Sequence, residues 1–309
     1  MSILDAIGNT PLVELRRLPP SGAAQVLVKL EYTNPTGSMK DRLALAAISA
    51  AEADGRLRPG ETVVEYTGGT TGISLAFVCA AKGYKSRIVF SDAFSHEKGL
   101  MMQALGSQII LVPSWGGGVT EKLITEMIEA ARSMSSQPGH WWCDQLNNGD
   151  ALQGYIPLGE EIWAQAAGRV NAFVHVVGTA HSIHGTTRGL WKHDRAIHVV
   201  AVEPEESAVL SGRPSGSHGI EGIGIGFIPP LWEPHQVNEV MTVSTGDAKA
   251  MARRLASEEG IFAGTSSGAN VAAAIRIAQR LGRGATVATI IVDSGLRYLS
   301  TDVFRRSPL

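Results

Sequence analysis

Asn34-Pro35-Thr36-Gly37-Ser38-Met39-Lys40-Asp41-Arg42 is the stretch that decides how this chain is read. A strand-like run, Val26-Leu27-Val28-Lys29-Leu30-Glu31, precedes it, and an Ala- and Leu-rich segment over 43–53 with helical character follows. Pro35 and Gly37 make the connection a turn. Ser38 with Asp41 three residues on is a capping-box pattern, so a helix starts here and Lys40 falls in its first turn. The helix dipole disfavours a cation at that end. The same field helps an amine shed its proton, and a neutral lysine is a nucleophile able to form a Schiff base. Taken alone, such a lysine is more simply a solvated surface residue. The rest of the chain has to decide between the two readings.

Outward from this stretch the chain alternates. Apolar runs over 62–66, 87–90, 109–113, 172–177, 198–202, 241–243 and 287–292 read as strands. Helical segments run up to 82, over 95–105, from Gly116-Gly117-Gly118 to about 134, over 247–259 and over 269–281. Alternation of this kind builds βαβ units on parallel sheets. The strands are continuously apolar, as they must be when helices cover both sheet faces. The predicted architecture is two three-layer α/β domains with mostly parallel sheets, over 1–146 and 147–309. About the first 35 residues cross to the other domain, and the ligand sits in a cleft at the strand ends. The segment 211–226 is glycine-rich and lacks helical or strand character, which suits a functional loop.

Composition narrows the function. The 309 residues are 44% hydrophobic and carry a net charge of -2, so there is core for two domains and no basic footprint for nucleic acid. A charged fraction of 18% is low for a monomer surface and hints at a buried oligomer interface. Cys79 and Cys143 are too few for a disulfide framework or a zinc site, and no metal site is expected. No leader-like or membrane-length segment is apparent, which predicts a cytoplasmic protein.

Four strand-to-helix turns are rich in Gly, Ser and Thr: the Lys40 turn, Thr67-Gly68-Gly69-Thr70-Thr71-Gly72, Gly178-Thr179-Ala180-His181-Ser182-Ile183-His184-Gly185, and Gly264-Thr265-Ser266-Ser267-Gly268. Such turns expose backbone N–H groups at helix N-termini, where anions bind. Several of them beside a candidate Schiff-base lysine suggest a ligand carrying both a phosphate and a carboxylate. Neither a P-loop nor a dinucleotide fingerprint is present; Gly222-Ile223-Gly224-Ile225-Gly226 has the wrong spacing and no strand before it.

These residues resemble the cysteine synthase (O-acetylserine sulfhydrylase) group of fold-type II pyridoxal-phosphate enzymes, whose fold is that of the tryptophan synthase β chain. The likeness runs through Ile7-Gly8-Asn9-Thr10-Pro11-Leu12, the Lys40 stretch, Glu97-Lys98, Asp144-Gln145-Leu146-Asn147-Asn148, Glu221 to Pro229, Ser266-Ser267-Gly268-Ala269 and Asp293-Ser294-Gly295-Leu296-Arg297-Tyr298. It implies no regulatory domain after these motifs and no heme-binding extension before them. It also implies that Lys40 holds pyridoxal 5'-phosphate as an aldimine and later acts as the base at the substrate Cα. Gly178, Thr179, Ala180, His181, Ser182 and Gly185 would cradle the phosphate. Ser266 would bond the pyridine nitrogen, and Thr70 stands where the family bonds the cofactor's phenolic oxygen. Thr67, Gly68, Gly69, Thr71 and Gln145 would hold the substrate carboxylate. The implied reaction is β-replacement on an activated serine through an aminoacrylate, giving cysteine or a related β-substituted alanine, by a homodimer acting on small molecules alone. Closure of the smaller domain over the substrate carboxylate would exclude water.

Two loops depart from the family pattern. Thr67 to Gly72 replaces the usual Thr-Ser-Gly-Asn-Thr-Gly, so a Gly stands for Ser at Gly68 and a Thr for Asn at Thr70. The phosphate turn, usually Gly-Thr-Gly-Gly-Thr, carries Ala180, His181 and Ser182. Ala180 costs little unless that site needs φ > 0. His181 can be a phosphate contact, a gate or a solvated loop side chain, and His184 is read as a helix-surface residue. The departures leave two alternatives open: β-elimination or deamination of an amino acid, and a catalytically silent cofactor-binding protein of the same fold.

Overall fold

The computed structural model describes residues 1–115 and 119–304. The predicted helix start at Gly116 to Gly118 therefore lies outside the described residues. The chain forms two compact units: Met1–Ile7 with Lys40–Gly154, and Gly8–Met39 with Tyr155 onward. In chain order the strands and helices are β1 Leu12–Glu14, β2 Gln25–Leu30, α1 Lys40–Ala53, β3 Thr62–Tyr66, α2 Thr70–Lys82, β4 Lys85–Ser91, α3 His96–Ala104, β5 Gln108–Val112, α4 Glu121–Ser135 and β6 His140–Trp142. They continue with α5 Ile156–Gln165, β7 Ala172–Val176, α6 His181–Trp191, β8 His198–Pro204, β9 Glu239–Val243, α7 Thr245–Glu259, α8 Thr265–Leu281 and β10 Thr286–Ile291.

The unit containing Lys40 has a four-stranded sheet in the order β5-β4-β3-β6, parallel throughout. Every residue of β3 is buried. That is why the run Thr62-Val63-Val64-Glu65-Tyr66 does not alternate: a strand covered on both faces has no solvent side to make polar. The helices between these strands end on the signals expected of them. Gly83 takes a left-handed C-cap (φ 81) after α2, and Thr120 caps α4 by accepting from the Leu123 N–H.

The other unit has a six-stranded sheet, β1-β2-β10-β7-β8-β9. Only the β1–β2 pair is antiparallel. Strands β7 and β10 lie inside it and are buried along their whole length. The early strands β1 and β2 belong to this unit because β2 pairs in parallel with β10, Gln25 opposite Thr286 through Leu30 opposite Ile291. Buried polar groups lock this edge. Lys29 lies fully buried with its ammonium 2.8 Å from Glu161, and Thr10 donates to Glu31 Oε1 at 2.6 Å. Charges this deep persist only when paired.

Helix α6 is buried on nearly every side, and its packing is set by glycine. A Cβ on Gly189 would stand 3.0 Å from Gly159 Cα, 3.2 Å from Glu160 N, and closer still to the Ile156 carbonyl. Backbone therefore meets backbone where α5 crosses α6, and this contact fixes α6 beside the end of β7. Gly189→Ala should destabilise the protein by about 1–3 kcal/mol through overpacking. The midpoint of urea unfolding reads this out, and an unchanged midpoint would mean that the two helices can part at no cost.

Candidate functional site

In the smaller unit, Lys40 is the first residue of α1 and is half-buried. The segment before it is fastened within its own unit. Asn34 donates to Glu31 Oε2 (2.9 Å) and accepts the Gly8 N–H (2.8 Å). The Arg297 guanidinium donates to the Thr36 carbonyl. The Ser294 N–H donates to Gly37 O (3.0 Å), and the Met39 N–H donates to Val292 O (3.0 Å). Tyr298 in turn holds Asp293, donating to Oδ2 at 2.7 Å. Once α1 has begun, Ser74 of α2 donates to Asp41 at 2.6 Å.

The Thr67 loop closes around one hydroxyl. Thr67 Oγ1 accepts the Gly69 N–H (2.9 Å) and the Gly72 N–H (3.4 Å). Gly69 has φ 123, and a Cβ there would stand 2.7 Å or less from the buried Lys98 stem, so this position accepts only glycine. Helix α2 then starts at Thr70. Gln145 is buried beside it with its amide orientation fixed: Nε2 donates to Tyr66 O (2.8 Å) and Oε1 accepts from Thr71 Oγ1 (2.8 Å). The Thr71 hydroxyl hydrogen is thereby committed to Gln145. The second Nε2 hydrogen and the first amides of α2 remain for a ligand.

Two residues here escaped the sequence reading. A Cβ on Gly68 would meet the Phe94 ring at 3.0–3.4 Å, so the space that the family's Ser side chain would need is taken by Phe94. Glu65, on β3, is a buried carboxylate that accepts the Tyr66 N–H (2.9 Å), the Gln145 N–H (3.0 Å) and the Trp142 indole N–H (3.3 Å). Burial pushes its pKa up to about 8 despite those donors. A charged residue inside an apolar strand was the available signal. Cys143 is buried, and its pKa is raised by burial and by Glu65; Cys79 is pushed up to about 12 by burial. Neither thiol is a thiolate at neutral pH.

In the larger unit, Gly178, Thr179, Ala180, His181, Ser182 and Gly185 come together at the end of β7 and the start of α6. A Cβ on Gly178 would stand 2.6 Å from the Gly222 carbonyl, so the glycine-rich segment after residue 211 packs directly on this turn. Ala180 has φ 69, so the site does require φ > 0, and alanine pays for it with about 1 kcal/mol of strain. His181 is buried, with Nδ1 2.8 Å from Thr179 Oγ1, which removes the solvated-loop reading. Helix α6 starts at His181, and its first intrahelical bond runs from the His184 N–H to Ala180 O. The amides before that bond point out of the helix end.

His184 is not on the helix surface as expected. It is fully buried, accepts the Glu233 N–H at Nε2 (3.0 Å), and lies 5.2 Å from the Trp232 ring. The reason is that Trp232 and Glu233 cover a face of α6 that the sequence left open. Burial holds its pKa near 4. Helix α8 also begins earlier than predicted, at Thr265 and not at Ala269. Ser266 is buried in its first turn, where serine is well tolerated. Gly268 permits this because a Cβ would meet Ala252 N at 2.9 Å across the α7–α8 contact. Among the described residues no cluster of three or more His, Cys, Asp or Glu could hold a metal, and no helix is long and apolar enough to cross a membrane.

Glu65 gives this site a pH signature. Between pH 4.5 and about 8 the native chain keeps a proton that the unfolded chain has released. Stability from this group is therefore complete below pH 4.5, falls as pH rises through the window, and levels off above it. The urea midpoint of the wild type should fall relative to that of Glu65→Gln as pH rises from 4.5 to 8. Parallel profiles would show that Glu65 ionises in the fold as it does in water.

An anion-cradling turn with amides at a helix N-terminus and a hydroxyl at Ser182 fits a phosphate. A lysine opening α1 fits a carbonyl cofactor. Comparison with known proteins agrees. The profile of the family "Pyridoxal-phosphate dependent enzyme" matches residues 3–293. A cysteine synthase of Staphylococcus aureus is 41% identical over 305 residues, spanning 98% of this chain and 96% of that one. The crystal structure of a cysteine synthase from Entamoeba histolytica superposes with a TM-score of 0.92 at 37% identity, covering 99% of this chain and 91% of its own. That of an O-ureido-L-serine synthase gives 0.89 at 38%, covering 98% and 94%. The chain is a member of the pyridoxal-phosphate-dependent enzyme family.

Proposed function

We propose that this enzyme catalyses β-replacement on an activated serine of the O-acetylserine type, forming cysteine or a related β-substituted alanine. The observation that carries this reading is the likeness to cysteine synthases along nearly the whole chain. Retention of Lys40, Gln145 and Ser266 supports it. Pyridoxal phosphate, when bound, supplies the electron sink that lets the substrate Cα lose its proton.

The residues divide the work. The Lys40 amine would hold the cofactor and then take the proton from the substrate Cα, and the start of α1 favours the neutral amine that this needs. The turn over 178–182, with Gly185, would hold the phosphate through helix-end amides and the Thr179 and Ser182 hydroxyls. Ser266 would offer a neutral hydroxyl to the pyridine nitrogen, which limits the electron sink and favours chemistry at Cβ. Thr67, Gly68, Gly69, Thr71 and Gln145 would bind the substrate carboxylate. Because the Thr71 hydroxyl hydrogen serves Gln145, Thr71 would contribute its backbone N–H. Thr70 would face the cofactor ring with one hydroxyl where the family has an amide. The low charged fraction supports a homodimer, and the protein would act in the cytoplasm on an amino acid and a small nucleophile.

The departure at Gly68 and Phe94 favours a second reading of the substrate: another leaving group or nucleophile at Cβ, or β-elimination. Purified holoenzyme given O-acetylserine and sulfide should form cysteine. Pyruvate release without cysteine would replace the assignment by β-elimination. A cofactor spectrum that no amino acid perturbs would favour the silent protein. Lys40→Ala should lose the visible absorption of the lysine-bound cofactor and about 10²–10⁴-fold or more of turnover. Retention of both would overturn the role of Lys40.

A further inference from the structure

Beneath the phosphate turn lies a buried polar chain that the reaction does not itself require. Asn270 of α8 is fully buried, and its side-chain oxygen accepts the Val176 N–H of β7 at 2.7 Å. Its amide nitrogen donates to the Ile290 carbonyl of β10 at 2.7 Å and lies 3.1 Å from Nδ1 of His175. A flipped amide would set N–H against N–H at Val176 and oxygen against oxygen at Ile290, so the orientation is forced. An amide nitrogen only donates, and His175 Nδ1 is therefore an acceptor without a proton. The ring hydrogen then sits on Nε2, which is 2.9 Å from Ser182 Oγ. His175 is fully buried, with Phe173 alongside at 5.9 Å, so water does not compete for either nitrogen.

We propose that Asn270 and His175 are positioning residues that fix the Ser182 hydroxyl as a donor to the cofactor phosphate. A hydroxyl that accepts from His175 cannot also spend its hydrogen there. With one lone pair taken, its O–H turns away from the imidazole, on the first turn of α6 where the helix amides converge. With the other tautomer, Ser182 would donate to His175 and present lone pairs to an anion. The sense of one imidazole thus decides whether the Ser182 hydroxyl attracts or repels phosphate. The inference rests on the reading of the 178–182 turn as the phosphate cradle.

Cofactor affinity of apoprotein prepared from the holoenzyme, titrated with pyridoxal phosphate, tests it. His175→Leu and Ser182→Ala should each weaken binding about ten- to 150-fold, the range for a hydrogen bond to a charged group. The double variant should be no weaker than Ser182→Ala alone, and His175→Gln, which keeps a donor toward Ser182, should recover most of the loss. Losses that multiply in the double variant would show that His175 acts through packing, and the proposal would fail. Nitrogen-15 NMR of the apoprotein supplies a readout independent of cofactor, of activity and of whether the leucine variant folds. It should find His175 neutral with its hydrogen on Nε2; a hydrogen on Nδ1 would overturn the proposal outright. If that tautomer is found but Ser182→Ala binds cofactor as tightly as the wild type, the phosphate cradle is what has been misplaced.

Discussion

The segment from Asn34 to Met39 has neither helix nor ladder to satisfy its backbone, and it leads straight into Lys40. A buried backbone group without a partner costs as much as a lost hydrogen bond, so the segment must borrow partners. It takes them from Glu31, from Ser294 and Val292 at the end of β10, and from the Arg297 guanidinium. These partners account for motifs that carry the family likeness without touching any proposed ligand. Gly8, through Asn34, and Asp293 to Tyr298 hold the peptide before the lysine, Thr10 holds Glu31 behind it, and Tyr298 with Asp293 braces the brace. These contacts leave the peptide up to Met39 with its backbone partnered inside its own unit.

Both units use the same device under their strand-to-helix turns. In each, a polar side chain on a fully buried strand supports a residue beyond a strand end: Glu65 on β3 accepts the N–H of Gln145, which follows β6, and His175 on β7 meets the Ser182 hydroxyl. Parallel strands expose their polar backbone only at their ends. A polar side chain placed beneath such an end reaches the ligand-facing residues from behind without meeting solvent. The cost is desolvation, visible in the raised pKa of Glu65. The gain is that the Gln145 backbone is held in place by Glu65 and the Ser182 hydroxyl has its hydrogen-bonding sense chosen by His175.

Most strands and helices were legible because continuous apolar runs and glycine stops have simple physical causes, whereas the short strands β1 and β6 and the helix α5 were not read from the sequence, and α6 only at its opening turn. What stayed hidden depends on contacts distant in sequence. His184 is buried by Trp232 and Glu233, and no local pattern around residue 184 foretells that cover. Helix α8 begins four residues before Ala269 because Gly268 lets α7 approach, a fact about packing and not about propensity. Ser182 and Thr71 could be named as hydroxyls near a ligand, but which way each hydroxyl points follows only from His175 and Gln145. Phe94 fills the space beside Gly68 from 26 residues away, and no local pattern marks it.

The turn over 178–182 departs from the family pattern at Ala180, His181 and Ser182, and a decaying site would leave the polar groups at the changed positions without partners. The His181 and Ser182 side chains both have one. Ala180 accepts a left-handed backbone at about 1 kcal/mol. His181, bulky where glycine is usual, is buried with Nδ1 on the Thr179 hydroxyl, so the added ring braces the turn from inside. Ser182, which lacks the methyl that holds a threonine rotamer, is held by His175, and His175 by Asn270. At Ser182 the departure removes a constraint and His175 of the same unit restores it, while His181 adds a brace. Strain is retained only where the surroundings over-determine the geometry, and an unused cradle gives nothing to set against that cost. The partners at His181 and Ser182 therefore weigh against a turn in decay.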